Sequence, residues 1–229
     1  MTTQPLFPQL RRKTTLRSGR TRIPVRMPLV ITVIGKPGSG KSTLIELLAE
    51  KFQSYGARPF QVYNDRDILV QMAQSNTMAH LIRPRDAVNF EILDERAYDV
   101  AIDKLIATVS KPRGNRVSLI EFSRNDYVRT FRQFDALWAH KKSLVVYVKT
   151  PFEMCSERNV RRALFENAHS VPSEEMESYF RVDDIEQLVR RYPKRVRVVN
   201  NDLEKGDLLH RADELWSTLK DRISLRRTL

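Results

Sequence analysis

Six apolar residues in a row, LVITVI at Leu29–Ile34, open the patterned part of the chain. Their number and β-branched content predict a strand buried on both faces. Over residues 41–55, Leu44, Leu48 and Phe52 recur every fourth position with Ile45 and Leu47 beside them, the stripe of an amphipathic helix, and Gly56 ends it. The same alternation continues to the far end. Strands are predicted over 59–63, 116–122 (RVSLIEF), 143–149 (SLVVYVK) and 195–199, and helices over 65–79, 127–140, 152–168, 173–180, 183–192 and 207–223. Arg83-Pro84 breaks the pattern. Beyond it, Asp86 is placed to cap one long helix reaching Ser110, with Phe90, Leu93, Ala97, Val100 and Ala101 on its buried face. Strands that alternate with helices imply a parallel sheet covered on both faces. The expectation is one α/β domain over 28–229, with no internal repeat and no second domain.

Composition adds two things. At 229 residues, 41% hydrophobic and 30% charged, the chain is long enough for a full core and has the balance of an ordinary globular protein. No apolar run approaches the roughly 18 residues of a membrane span, so no membrane partner is expected. One cysteine, Cys155, excludes an intrachain disulfide and fits a reducing, cytoplasmic setting. The formal charge of +12 is unevenly placed: residues 1–27 carry seven basic residues and no acid, leaving +5 for the rest. Rich also in Pro, Thr and Ser, this stretch reads as a disordered basic arm. A solvated tail, an arm for nucleic acid or another partner, and a targeting segment all remain open for it. His80, His140, His169 and His210 lack metal-ligand spacing.

Candidate chemistry begins where the first strand ends. GKPGSGKS places Gly35, Gly40, Lys41 and Ser42 at the spacing G-x-x-x-x-G-K-[ST], with Lys36, Pro37, Gly38 and Ser39 between them and Thr43 next. Backbone N–H groups converge on phosphate oxygens only where the chain wraps tightly, which Gly35, Gly38 and Gly40 permit. Lys41 offers a point charge to the β and γ phosphates, Ser42 a hydroxyl for Mg²⁺, and the following helix its positive end. Lys41 is expected in a solvent-open loop. A strand before and a helix after are the context this motif needs, so ATP and Mg²⁺ are the expected cofactors.

Strand, phosphate loop and helix, followed by a second strand ending in acids, resemble the P-loop kinase family of small-molecule and nucleotide kinases. The likeness in element order runs over about 28–222. It implies a five-stranded parallel sheet in the order 2-3-1-4-5 and a helical lid. The second strand ends in QVYNDRDIL, putting Asp65 and Asp67 outside its carboxyl end, where ligands of open parallel sheets bind. The Asp-x-Asp is similar to that of shikimate-type kinases, and deoxynucleoside kinases keep a general base near the same place. Either acid can take the acceptor's proton; Asp65 can instead cap the helix that starts there. Glu121, closing LIEF on the third strand, matches the Walker B position, where a carboxylate orients Mg²⁺. A strand-end Glu can otherwise be a salt-bridge partner.

Arg124 follows in EFSR, which resembles the ERS motif of deoxynucleoside kinases with Phe122 and Ser123 interposed. Arg83 and Arg85 can bind an acidic acceptor or be surface charge. After the fourth strand, TPFEMCSER is similar to the TPEVCYERI segment of deoxynucleoside kinases, whose lid follows. That likeness makes Arg158, Arg161 and Arg162 lid arginines, the first and last sharing one helix face. A guanidinium there would stabilise charge on the transferring phosphoryl group. An exposed basic face paired with Glu157 and Glu166 is the alternative. In the family, the loop after the last strand packs on the base, which points to Asn200 and Asn201.

The leading expectation is an ATP-dependent kinase transferring the γ-phosphoryl group to a small molecule, with nucleosides and nucleotides first. A kinase of nucleic-acid ends, using the arm and the run Tyr127, Arg129, Phe131 and Arg132, comes second. A nucleotide-binding regulator without transfer activity is the third. Oligomeric state is not legible.

Overall fold

The computed structural model describes residues 29–54, 59–75, 77–86, 89–111, 117–139, 142–165, 170–202 and 205–224. The arm expected over 1–27 lies outside them. The elements are β1 (Leu29–Ile34), α1 (Lys41–Ser54), β2 (Phe60–Asn64), α2 (Asp65–Gln74), β3 (Ile82–Pro84), β4 (Phe90–Ile92), α3 (Arg96–Ser110) and β5 (Val117–Phe122). After them come α4 (Tyr127–Ala139), β6 (Lys142–Lys149), α5 (Phe152–Phe165), α6 (Ser173–Arg181), α7 (Ile185–Arg191), β7 (Val196–Asn200) and α8 (Lys205–Ser224).

Five strands form one parallel sheet in the order β2-β5-β1-β6-β7. Numbered among themselves, these strands run 2-3-1-4-5, as the family resemblance implies. β1 is central, and all six of its residues are buried, as an uninterrupted apolar run requires. Alternate residues serve opposite faces. Leu29, Ile31 and Val33 pack with Leu44, Leu48 and Phe52 of α1 and with Trp216 and Leu219 of α8. Val30 and Ile34 pack with Ile102 of α3, Phe131 and Phe134 of α4 and Leu188 of α7. Phe52 meets Trp216 edge-on at 4.8 Å between ring centroids, a contact worth about 1 kcal/mol beyond the area it buries.

The long helix expected from Asp86 to Ser110 is not one helix. Its first part holds β4, which pairs antiparallel with the preceding β3 as a hairpin, Ile82 opposite Ile92 and Pro84 opposite Phe90. The physical reason is local hydrogen bonding. The Asp86 carboxylate accepts from the backbone N–H of Asn89 (2.8 Å) and from its Nδ2 (2.7 Å), which closes a turn instead of capping a helix. The Leu81 carbonyl accepts from the N–H groups of Leu93 and Asp94, and Asp94 accepts from the N–H of Arg96, where α3 starts. Phe90 and Ile92 turn toward a third, smaller core of Leu69, Met72, Leu81, Ile82, Ala97 and Ala101, between α2 and α3. Two-residue and 3.6-residue periods both fit this stretch, and only its neighbours decide between them.

Candidate nucleotide and acceptor site

All five sheet strands point their carboxyl ends the same way, so the loops after β1, β2, β5, β6 and β7 converge at one edge. Residues 35–40 leave β1 there and turn into α1. Gly38 (φ 78°) and Gly40 (φ 95°) occupy the left-handed region, and a Cβ on either would lie 2.5 Å from a neighbour, the Cys155 carbonyl and Asn201 Nδ2 respectively. Polar groups from distant loops hold the turn. The Ser39 carbonyl accepts from Thr150 Oγ1 (3.0 Å) and Asn201 Nδ2 (2.7 Å). The Gly35 N–H donates to Tyr127 Oη (3.1 Å), and Ser123 Oγ donates to the Gly35 carbonyl (2.9 Å). Pro37 and Thr43 are half-buried at the two ends of the wrap.

Lys41 is not in an open position. It is 7% exposed, and its Nζ donates to the Lys36 carbonyl at 2.9 Å. The correction follows from the tight wrap, which folds the side chain back under its own loop. Burial pulls its ammonium below the ordinary 10.5, against Glu121, Cys155 and Asp65 nearby. Lys36 is also buried and reaches away from the loop, donating to the Val182 carbonyl at 2.7 Å with its ammonium 5.4 Å from the centre of the Tyr127 ring.

Ser42 Oγ donates to Glu121 Oε1 at 2.8 Å, joining the start of α1 to the end of β5. Burial pushes the Glu121 carboxyl above its ordinary 4.5, while Lys41 and the Ser42 bond hold it down. A hydroxyl beside a carboxylate is a hard-oxygen pair of the kind Mg²⁺ takes when phosphates and water fill the rest of its shell. Among the described residues there is no group of three or more His, Cys, Asp or Glu side chains that would hold a metal without such help. The residues therefore fit Mg²⁺ arriving with a nucleotide.

On the β2 side, the helix cap foreseen as one role of Asp65 belongs to Asn64, whose side chain accepts from the Arg66 N–H at 2.7 Å. Asp65 is buried and paired with Arg124 at 2.5 Å. Arg124 also donates to the carbonyls of Ser123 (2.6 Å) and Tyr98 (3.3 Å), and its guanidinium lies 4.5 Å from the Tyr98 ring centre. Burial raises the Asp65 carboxyl and Arg124 opposes the rise. The two residues interposed in EFSR have clear positions: Phe122 enters the core, and Ser123 holds Gly35. Asp67 is exposed on the first turn of α2. Arg83 and Arg85 are exposed on the hairpin side, near Glu91 at 2.7 and 3.9 Å.

Arg158 and Arg162 face the loop from α5. Arg158 Nη1 donates to the Gly38 carbonyl at 3.4 Å, and Arg162 is close enough to act on the charges of Lys41 and Glu121, whereas Arg161 is exposed. Asn159 Nδ2 donates to the Val171 carbonyl (2.7 Å) and its Oδ1 accepts from the Val171 N–H (2.9 Å), tying α5 to the approach to α6. Asn201 is buried, its Nδ2 donating to the Ser39 carbonyl, and so supports the loop; Asn200 is exposed. Tyr127 and Phe131 are fully buried, so the aromatic-basic run on α4 offers no stacking platform. Cys155 is core, its thiol pushed up to about 11 by burial. Sequence reasoning missed Tyr127, Tyr98 and Thr150 as supports, because nothing in local spacing distinguishes a core tyrosine from one that holds a backbone amide 92 residues away.

A five-stranded parallel sheet in this order, with a glycine loop leading from the central strand into a helix, defines a nucleotide-binding protein of the P-loop kinase-like class. Within that class, the family model described as "AAA domain" matches residues 31–179, and the chain belongs to that family. Solved structures agree in fold. Shikimate kinase from Acinetobacter baumannii, solved in complex with shikimate, is 15% identical with a TM-score of 0.50, covering 84% of this chain and 93% of that one. Kti12 from Chaetomium thermophilum, in complex with ADP-AlF3, is 21% identical with a TM-score of 0.53, covering 82% and 97%. No curated protein matches the sequence significantly. Among the described residues no helix is long and apolar enough to cross a membrane.

Proposed function

We propose that the protein is an ATP-dependent phosphotransferase moving the γ-phosphoryl group to a hydroxyl or phosphate of a small molecule, with nucleosides and nucleotides the first class of acceptor. The observation that carries this reading is the joining of two half-sites at one sheet edge. Lys41, Ser42 and Glu121 form the donor half, and the Asp65–Arg124 pair with exposed Asp67 forms the other, one strand away. Exposed Asp67 at the same edge favours transfer over nucleotide binding alone.

Backbone amides of residues 35–43 and Lys41 hold the triphosphate in this reading, and Ser42 and Glu121 hold Mg²⁺. Bound there, the metal neutralises charge on the phosphate oxygens. Arg158 and Arg162 reach the same oxygens from α5 and supply positive charge as the phosphoryl group transfers. Asp67 takes the proton of the acceptor hydroxyl, and Asp65 holds Arg124 toward the acceptor. Arg83 and Arg85 on the hairpin would meet an acidic group of the acceptor, and Asn200, exposed at the end of β7, would contact the base of the donor. Shikimate kinase, whose solved complex holds shikimate, supports a small-molecule acceptor at this fold.

The test is a screen of ATP consumption against nucleosides, nucleotides, sugars and oligonucleotides, run with the parent and Lys41→Ala. Consumption stimulated by one small-molecule class and lost in Lys41→Ala is expected. Stimulation by oligonucleotide ends alone would move the protein to nucleic-acid ends, and binding of ATP without stimulation by any class would make it a regulator.

A further inference from the structure

We infer that Tyr127 is a positioning residue that locks the start of the phosphate loop to the loop carrying Arg124, so that nucleotide affinity depends on its hydroxyl. Tyr127 is fully buried at the start of α4. Its oxygen accepts from two backbone amides, Gly35 at 3.1 Å and Arg124 at 3.4 Å. Gly35 is the first residue of the phosphate loop; Arg124 is the guanidinium paired with Asp65. One side-chain atom thus joins the donor half of the site to the acceptor half.

A second bond runs alongside. Ser123 Oγ donates to the Gly35 carbonyl at 2.9 Å, so both polar groups of the Gly35 residue are held, the carbonyl by the loop after β5 and the N–H by the first residue of α4. A buried amide that loses its acceptor must turn toward another partner or remain unpaired. The loop is close to its neighbours here: a Cβ placed on Gly35 would lie 2.6 Å from the Val148 carbonyl and from Ser39 Oγ. The ring itself has a separate duty. It packs against Phe122 and Tyr147, with centroids 6.3 and 5.8 Å away, and Lys36 Nζ lies 5.4 Å from its centre. Ring and hydroxyl can therefore be tested apart.

The inference rests on the nucleotide-binding reading and is tested by calorimetric titration of ATP·Mg²⁺ into the full chain. Tyr127→Phe keeps the ring and removes the acceptor; Ser123→Ala removes only the parallel bond. Tyr127→Phe is expected to raise Kd about tenfold, Ser123→Ala to raise it about threefold, and the double variant to lose more than the product of the two, since either bond alone still directs Gly35. Amide exchange at Gly35 and Arg124 should quicken in Tyr127→Phe while core amides of β1 and β6 keep their protection. A lower melting temperature with Kd equal to the parent's would mean that the hydroxyl serves stability alone, and would overturn the inference. If Tyr127→Phe does not fold, 3-fluorotyrosine at position 127, which keeps the ring and makes the hydroxyl oxygen a weaker acceptor, is judged by the same criterion. A parent that does not bind ATP·Mg²⁺ would sink the nucleotide reading and this inference together.

Discussion

Breaking the buried pair between Asp65 and Arg124 perturbs the site where its two halves meet. Their side chains are 8% and 6% exposed, so little water compensates either charge. Asp65→Asn keeps the size of the side chain and one acceptor oxygen but removes the negative charge facing the guanidinium, which stays against Tyr98 and Phe122 and the Ser123 and Tyr98 carbonyls. Removing one member of a buried pair costs about 3–5 kcal/mol, out of about 5–15 kcal/mol that holds a domain folded. For a chain of this size that is a fall of roughly 6–20 °C in Tm. Arg124→Met should cost less as the pH falls, because burial already pushes the Asp65 carboxyl up and a proton can replace the lost guanidinium. The double variant, Asp65→Asn with Arg124→Met, should recover part of the loss. Urea melts of the four proteins give the coupling energy. Single effects that add to within about 0.5 kcal/mol would refute the reasoning, since independent groups behave in that way.

Four further outcomes are expected. Lys41→Ala should abolish triphosphate binding in calorimetry while the protein stays folded, and parental affinity would refute the phosphate-loop reading. Glu121→Gln removes the charge beside Ser42 and should raise the Mg²⁺ concentration for half-maximal turnover at least about tenfold, with ATP affinity measured separately. Asp67→Asn should leave ATP affinity unchanged and cut turnover with the identified acceptor by ~10²-fold, the range for losing a positioned base. Asp184 accepts from the Val128 N–H at 2.6 Å, and burial together with neighbouring Asp126 raises its carboxyl above the ordinary 3.8. Its contribution to stability is full below that unfolded value and lost as pH rises through the higher native one, so Asp184→Asn should flatten the fall in stability that begins above about pH 4 in urea melts.

The phosphate loop was legible because its chemistry is contiguous: the glycines, Lys41 and Ser42 lie within eight residues, between a strand and a helix that both announce themselves. Glu121 stood out for a similar reason, as an acid closing an apolar run, and the structure sets it against Ser42. The hairpin was not legible. Phe90, Leu93 and Ala97 fit a helical stripe, yet Asp86 spends its carboxylate on Asn89 and the chain turns back. The burial of Lys41 and the commitment of Asn201 to Ser39 were hidden too, since each depends on how tightly the loop wraps against other loops.

By itself the sequence determined the five strands, their parallel arrangement and the place of the phosphate loop, because periods of two and 3.6 residues and a local glycine spacing are written in consecutive positions. Tertiary structure alone decided which polar groups meet. Asp65 finds Arg124 across 59 residues, Gly35 finds Tyr127 across 92, and Ser39 finds Asn201 across 162. The strand order brings these loops to one edge, where close packing sets these donors against their acceptors. Local pattern names the groups that need partners; only the assembled sheet supplies them.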